Sequence, residues 1–282
     1  MKRILSLFLA LLSVVLLLSG CESSIVKEPE NKYKIEGNEA ILTEVPTEST
    51  VTDIIIPDEF EGKKVTKVDD FAACNLEAAT TITIGKNVKE IGPWAFENNQ
   101  KLEKFIVDKD NPYFCDVDGV LFTKDMKTLL FYPNAKGVQT QTVTDESGKQ
   151  STVTFSEYVI PDTVETVRTK AFYKCPLLRS VTIPDSVKVL EEKAFFRCSA
   201  LQNVTLPDGL EYIGKDAFSY CTSFTEITIP ASIKTIGTYA FYNCTNLKKV
   251  NILKSEKDIE LQKKWQPTDN GKKMDVEITF AK

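Results

Sequence analysis

Apolar and polar positions recur along the second half of the chain with a period of 23 residues. One unit reads Val181-Thr182-Ile183-Pro184-Asp185-Ser186-Val187, then Leu190, Ala194-Phe195, Cys198 and Leu201. The next reads Val204-Thr205-Leu206-Pro207, Leu210, Ile213-Gly214, Ala217-Phe218, Cys221 and Phe224. A third runs from Ile227-Thr228-Ile229-Pro230 through Ile233, Ile236-Gly237, Ala240-Phe241 and Cys244 to Leu247. The Val-Thr-Ile alternation predicts a short strand with one buried face. Proline with a following small polar residue ends that strand and turns the chain. The next apolar pair predicts a second short extended piece. The Ala-Phe-x-x-Cys segment predicts a tight turn or one 3₁₀ turn, with Phe and Cys inward. No such unit can bury its apolar face alone, so successive units must stack into parallel sheets.

An earlier copy holds Ile82-Thr83-Ile84, Val88, Ile91-Gly92 and Ala95-Phe96, with Asn99 in the cysteine place. A degenerate one holds Val68 and Ala72-Ala73. Two stretches within 105–157 interrupt the register and predict hairpin insertions. Val120-Leu121-Phe122-Thr123 and Thr128-Leu129-Leu130-Phe131-Tyr132 read as a β-hairpin carried on the stack. Residues 138–155 are Thr- and Gln-rich around Asp145-Glu146-Ser147-Gly148-Lys149 and read as a polar, protruding ribbon. Ends of a stack need atypical cover. Residues 33–66 supply strands for the N-terminal cap. Residues 253–282 supply the C-terminal cap, with a short helix over 256–265 ending in Trp265 and a strand from Met274 to Phe280.

The first residues carry a different pattern. Lys2-Arg3 precedes an apolar run from Ile4 to Leu18 that ends in Leu18-Ser19-Gly20-Cys21. The run is short for a membrane-spanning helix and reads as a signal peptide over 1–20. Its end resembles the bacterial lipobox, which implies cleavage before Cys21 and lipid attachment to it. Residues 21–32 are polar and aperiodic and read as a tether, leaving 33–282 as the folded domain.

Composition narrows the function. With 35 basic and 40 acidic residues the net charge is −5, which argues against nucleic acid as a partner. Loss of Lys2 and Arg3 with the signal makes the chain still more acidic, so anionic lipid offers it no attraction and anchoring falls to the lipid on Cys21. Histidine is absent. That removes Ser-His-Asp and Cys-His chemistry and every His-containing metal site. No Gly-rich phosphate loop and no nucleophile-base pair is present, so no cofactor and no catalytic residue is expected.

The unit Ile-Gly-x-x-Ala-Phe-x-x-Cys-x-x-Leu-x-x-Val-x-Ile-Pro-x-Ser-Val resembles the BspA-like leucine-rich-repeat family of bacterial surface proteins. Segments Asn111-Pro112-Tyr113, Val117 to Thr123 and Tyr132 to Ala135 are similar to a recurring piece of it. The resemblance covers roughly 33–282 and implies a β-rich leucine-rich-repeat solenoid of coils about 23 residues long. It also implies a non-enzymatic role at the cell surface, usually attachment to host proteins or other cells. Together these readings predict a lipid-anchored, extracytoplasmic protein that binds a protein or glycan. The rival reading is an architectural or assembly component of the bacterial envelope.

Candidate surfaces follow from the register. The column Cys175, Cys198, Cys221, Cys244 falls within disulfide reach if coils stack at one strand spacing. Its inward position instead predicts free, buried thiols with weak donors to backbone carbonyls. Collinear sulfurs do not suit a tetrahedral metal. The outward strand column is Thr83, Ile106, Thr182, Thr205, Thr228 and Asn251. It offers a flat recognition strip, although Thr suits any exposed strand. Tyr173, Phe196 and Tyr242 follow the inward Phe, while Trp94 and Tyr239 precede the Ala. Exposed, they would be interface anchors; packed between turns, they would be partly buried. Asp108-Lys109-Asp110-Asn111 and Asp116-Val117-Asp118-Gly119 resemble pieces of calcium loops but lack the full spacing and read as turns.

Overall fold

A computed structural model describes residues 30–48 and 50–281; the signal segment, Cys21 and most of the tether lie outside the described residues. The chain forms a β-solenoid of about 10 stacked coils with almost no helix. Each regular coil has three sides. The first is the Val-Thr-Ile strand, as in Leu178–Thr182, Asn203–Thr205, Glu226–Ile229 and Lys249–Ile252. Val181 lies opposite Val204, and Ile227 opposite Val250, in parallel register. Proline closes this side as a β-turn: the amides of Val187, Leu210 and Ile233 donate to the carbonyls of Pro184, Pro207 and Pro230 at 3.0–3.2 Å.

The second side is a ladder of two-residue strands, Thr166–Val167, Val189–Leu190, Tyr212–Ile213, Thr235–Ile236 and Glu260–Leu261, all parallel. Its inward residues Val167, Leu190, Ile213 and Ile236 are fully buried. Coils approach closely just after this ladder. A Cβ on Gly214 would lie 2.5 Å from the Glu191 carbonyl carbon, so a side chain there must displace backbone.

The third side is the Ala-Phe-x-x-Cys turn. Amides of Phe172, Phe195 and Phe218 donate to the carbonyls of Ala194, Ala217 and Ala240, each at 2.8 Å. The inward rings stack along the axis: Phe172–Phe195, Phe195–Phe218 and Phe218–Phe241 have centroids 4.7, 5.3 and 5.7 Å apart, within 11° of parallel. Bonds of the 3₁₀ type recur here, such as Phe196 N to Lys193 O and Cys198 N to Phe195 O. They never merge into a helix because Lys193 and Arg197 take left-handed φ values of 57° and 60°.

Two cores fill the solenoid, one from Ala40 to Phe131 and one from Val120 to Trp265. The hairpin Val120–Thr123 and Thr128–Phe131 is the wall between them. Val120, Phe122 and Leu129 face the C-terminal core, whereas Leu121, Leu130 and Phe131 face the N-terminal one. The hairpin is thus a layer of the stack, not an addition carried on it. Its second strand pairs in parallel with Thr166–Val167, as a coil would. Tyr132 N donates to Ala171 O at 2.8 Å, the bond that Phe172 makes to Ala194. Val120, Leu121 and Phe122 alternate between the cores with the two-residue period of a strand, whereas Leu130 and Phe131 both turn to the N-terminal core.

The ribbon Gln139–Thr144 and Gln150–Val159 is antiparallel and mostly exposed, and its far end feeds the stack by pairing Tyr158 with Val181 in parallel. At the N-terminus the exposed edge strand Lys32–Glu36 is rich in charge, with Lys32–Glu44 paired at 2.8 Å. Charge of this kind blunts an open sheet edge.

The helix expected over 256–265 is absent. A 3₁₀ turn spans only Glu256–Asp258, and Glu260–Leu261 then extends the second ladder. Ile259 is buried while Glu260 is exposed, an alternation that satisfies the waiting ladder better than a helix would. Trp265 is buried and meets Phe241 edge-on at 6.5 Å, closing the ring stack. The final strand is Glu277–Phe280, paired with Lys249–Ile252.

Candidate binding surface

The cysteine column is packing. Cys175, Cys198, Cys221 and Cys244 are free and buried. The thiols of Cys198, Cys221 and Cys244 donate to the carbonyls of Phe172, Phe195 and Phe218 at 3.0–3.1 Å. Burial pushes Cys175 and Cys221 well up and Cys244 up to about 12, so these thiols stay protonated and unreactive. Asn99 does the same work in the N-terminal block. Its Nδ2 donates to Ala73 O at 2.8 Å, and its Oδ1 accepts from Leu76 N at 2.8 Å. Among the described residues no group of three or more Cys, Asp or Glu is clustered as a metal site requires. The two acidic motifs make turns and ladder contacts: Asp108 Oδ1 accepts from Asp110 N, and Asp116 Oδ1 from Val107 N, each at 2.8 Å.

Of the strand column, Thr182, Thr205 and Thr228 are exposed and Thr83 is half-buried. Ile106 is exposed. Asn251 is half-buried and accepts from Thr279 Oγ1 at 2.9 Å, because the last strand leans over it. The column does not form one continuous sheet. Asn203–Thr205 and Glu226–Ile229 belong to separate sheets, and a shallow depression lies between Thr205 and Thr228.

The aromatic positions, in contrast, form one stripe along the turn side. Tyr173 stacks on Phe196 at 5.2 Å and 7°. Phe196 meets Tyr220 at 5.4 Å, and Tyr220 meets Tyr242 at 5.5 Å, both edge-on. Tyr239 joins Tyr242 at 5.4 Å. All five are half-buried, so each ring both packs between turns and shows an edge to solvent. Tyr220 escaped the sequence pattern because the position after Phe218 is Ser219. Ser219 is buried and bonds Asp216 and the Tyr239 carbonyl, and the aromatic moves one residue along. Its signal was the Ser-Tyr pair standing where the other coils have an aromatic first.

Cations interleave with these rings. Lys170 is buried under Trp94, its Nζ 2.8 Å from the ring centre and 4.2 Å from that of Tyr173. Glu97 holds it at 2.6 Å. Burial lowers the Lys170 pKa, and Glu97 opposes that shift. Burial and then the Glu97 carboxylate push the Tyr173 phenol up to about 12. Lys193 pairs with Glu192 at 2.8 Å. The Arg197 guanidinium lies 5.6 Å from the Phe196 ring centre and 4.9 Å from that of Tyr220. It has no acidic partner among the described residues. The strand column and the aromatic stripe occupy different sides of the coil, so the residues expected from sequence form two surfaces and not one.

The model of the BspA type leucine-rich repeat region matches six copies, over residues 45–117 and 147–263. The chain belongs to the BspA-type leucine-rich-repeat family. Among solved structures, the pneumococcal vaccine antigen PcpA is similar with a TM-score of 0.59 at 24% identity, over 72% of this chain and 51% of that one. A leucine-rich repeat protein from Eubacterium ventriosum has a TM-score of 0.55 at 24% identity, over 72% of this chain and 60% of that one. The chain therefore spans between half and three-fifths of these two relatives, and the likeness is one of fold. No curated protein matches the chain. Among the described residues no helix is long and apolar enough to cross a membrane.

Proposed function

We propose that this BspA-type protein is a non-enzymatic binding protein of the bacterial cell surface, that lipid on Cys21 holds it to a membrane, and that it engages a surface protein or glycan through the turn side of its coils. The observation that carries the binding surface is the stripe Tyr173–Phe196–Tyr220–Tyr242 with Arg197 lying unpaired upon it. Tyrosine and arginine are enriched where partners dock: tyrosine brings large contact area with little entropy loss, and arginine brings a planar, weakly hydrated cation with five donors. Support for the anchor is the Leu18-Ser19-Gly20-Cys21 motif. The strand column of Thr182, Thr205, Thr228 and Asn251 is the lesser surface, being small, polar and interrupted.

A screen of the full chain against matrix proteins and surface glycans tests the reading. Specific retention of at least one ligand, lost on Tyr220→Asn, is expected. Retention of none would overturn it, and crosslinking on intact cells that captures only envelope proteins would assign an assembly role instead. Labelled palmitate should enter the wild-type chain and not a Cys21→Ala variant.

A further inference from the structure

Three positions after Asn99, Cys175, Cys198, Cys221 and Cys244 stands an inward residue at the threshold of the next strand: Leu102, Leu178, Leu201, Phe224 and Leu247, all buried. Wherever it is Leu, the strand it leads into pairs in parallel with the strand before it. Phe105 lies opposite Ile82, Val181 opposite Tyr158, Val204 opposite Val181, and Val250 opposite Ile227. The strand after Phe224, Glu226–Ile229, has no such partner before it among the described residues. It and Asn203–Thr205 belong to separate sheets.

The other two sides of this junction are closed. Tyr212 pairs with Thr235, and Ile213 with Ile236. On the turn side Phe218 N donates to Ala240 O at 2.8 Å, and Tyr220 N to Tyr242 O at 2.7 Å. The open side reaches the core. Val204 is half-buried, although its counterparts Val181, Ile227 and Val250 are buried. Val204 and Ile227 both line the depression between the two strands, which has a volume of about 420 Å³.

Size sets Phe224 apart. A ring in the space that holds leucine in the neighbouring coils overpacks the core, and overpacking is relieved by shifts of the backbone. The Phe224 ring lies 5.5 Å from that of Phe218, tilted by 47°. Phe218–Phe241, the stacked step across this junction, is wider than the two before it, at 5.7 Å against 4.7 and 5.3 Å. We propose that Phe224 is a wedge that holds the strand side open here, and that the two closed sides make the junction a hinge on which residues 226–281 bend away from the stack. The stability of a solenoid sums the interfaces between neighbours, so the interface short of one ladder opens first. Tyr220 and Tyr242 straddle the same junction, 5.5 Å apart, so a bend here changes the spacing of the two rings. The hinge does not depend on the turn-side reading above.

Amide hydrogen exchange on the full chain reads the opening directly. In the wild type, 203–205 and 226–229 each have one ladder, whereas 178–182 and 249–252 are paired on both edges. The first two segments should exchange about tenfold faster than the last two. Phe224→Leu restores the residue of the other coils and should slow the open strands about tenfold, erasing the difference. Phe224→Met is the second variant, because a flexible side chain fills an irregular gap where leucine would leave a cavity. It should slow the same strands. Equal exchange of all four segments in the wild type would overturn the hinge. Persistence of the difference in folded Phe224→Leu and Phe224→Met would overturn the wedge. Failure of both variants to fold would overturn it too, since a wedge is not what holds the coils together.

Discussion

Of the three sides of each coil, the strand side and the turn side carry the candidate surfaces, and they differ in how far the repeat explains them. On the strand side the outward residues are Thr182, Thr205 and Thr228, side chains that any exposed strand favours. On the turn side, Lys174, Arg197 and Tyr220 hold a backbone conformation that costs such residues about 1–2 kcal/mol, where neighbouring coils place Asn. Residues that satisfy local physics carry no information about a partner. Neighbouring turn residues Lys170, Lys193 and Tyr239 are left-handed as well, so positive φ belongs to the turn, and what sets Lys174, Arg197 and Tyr220 apart is that cations and a ring stand where other coils place Asn.

The largest effect should come from removing the support both sides share. Phe218 is fully buried and stacks on Phe195 and Phe241. Phe218→Ala should cost about 3–5 kcal/mol through lost transfer energy and a cavity, read as a shift in the urea midpoint. Both surfaces should weaken together. A variant that lost the strand side but kept the turn side would show that the sides are not mechanically joined.

Next is the junction between the two cores, where the turn side continues across the hairpin through Lys170. Its side chain is 2% exposed, between Trp94 and Tyr173 and bonded to Glu97. Glu97→Gln strands a buried cation and should cost about 3 kcal/mol. Trp94 fluorescence should change with it. A loss under about 0.5 kcal/mol, the usual surface value, would mean the stripe's two halves are independent.

The third effect has the opposite sign. Arg197→Asn relieves left-handed strain and should raise stability by about 0.5–1 kcal/mol while weakening the partner. Thermal unfolding reads the first and binding the second. A variant less stable than wild type would show that the Phe196 and Tyr220 ring contacts of Arg197 outweigh its backbone cost.

How much of this was legible depends on repetition. Val-Thr-Ile, Ala-Phe and Cys recur, so their side of the coil and the inward thiols follow from register alone. Asn99 was legible as the cysteine's stand-in because the frame fixed its place. The hairpin's position was less so. Val120-Leu121-Phe122 and Leu129-Leu130-Phe131 are apolar on both faces, the mark of a strand between two cores, yet their break in the repeat register reads as a hairpin carried on the stack. The helix expected over 256–265 failed because a sheet edge waiting for Glu260–Leu261 overrides local preference. Tyr220 was hidden by its one-residue displacement, and left-handed Lys174 and Arg197 were hidden because neither residue announces that conformation.

The smallest effect is the sharpest control on the comparison. Thr205 and Thr228 flank the strand-side depression and are exposed. Serine keeps their hydroxyls and removes only the methyl groups, so Thr205→Ser with Thr228→Ser should move stability by no more than about 0.5 kcal/mol per site. Binding of whatever ligand the turn side takes should then change less than about twofold, a difference well under the 1.4 kcal/mol of a tenfold step. If this pair of changes weakened binding as strongly as Lys174→Asn with Arg197→Asn, the partner would have to wrap both sides of the coil. The contrast between the sides would then describe their local strain but not their roles.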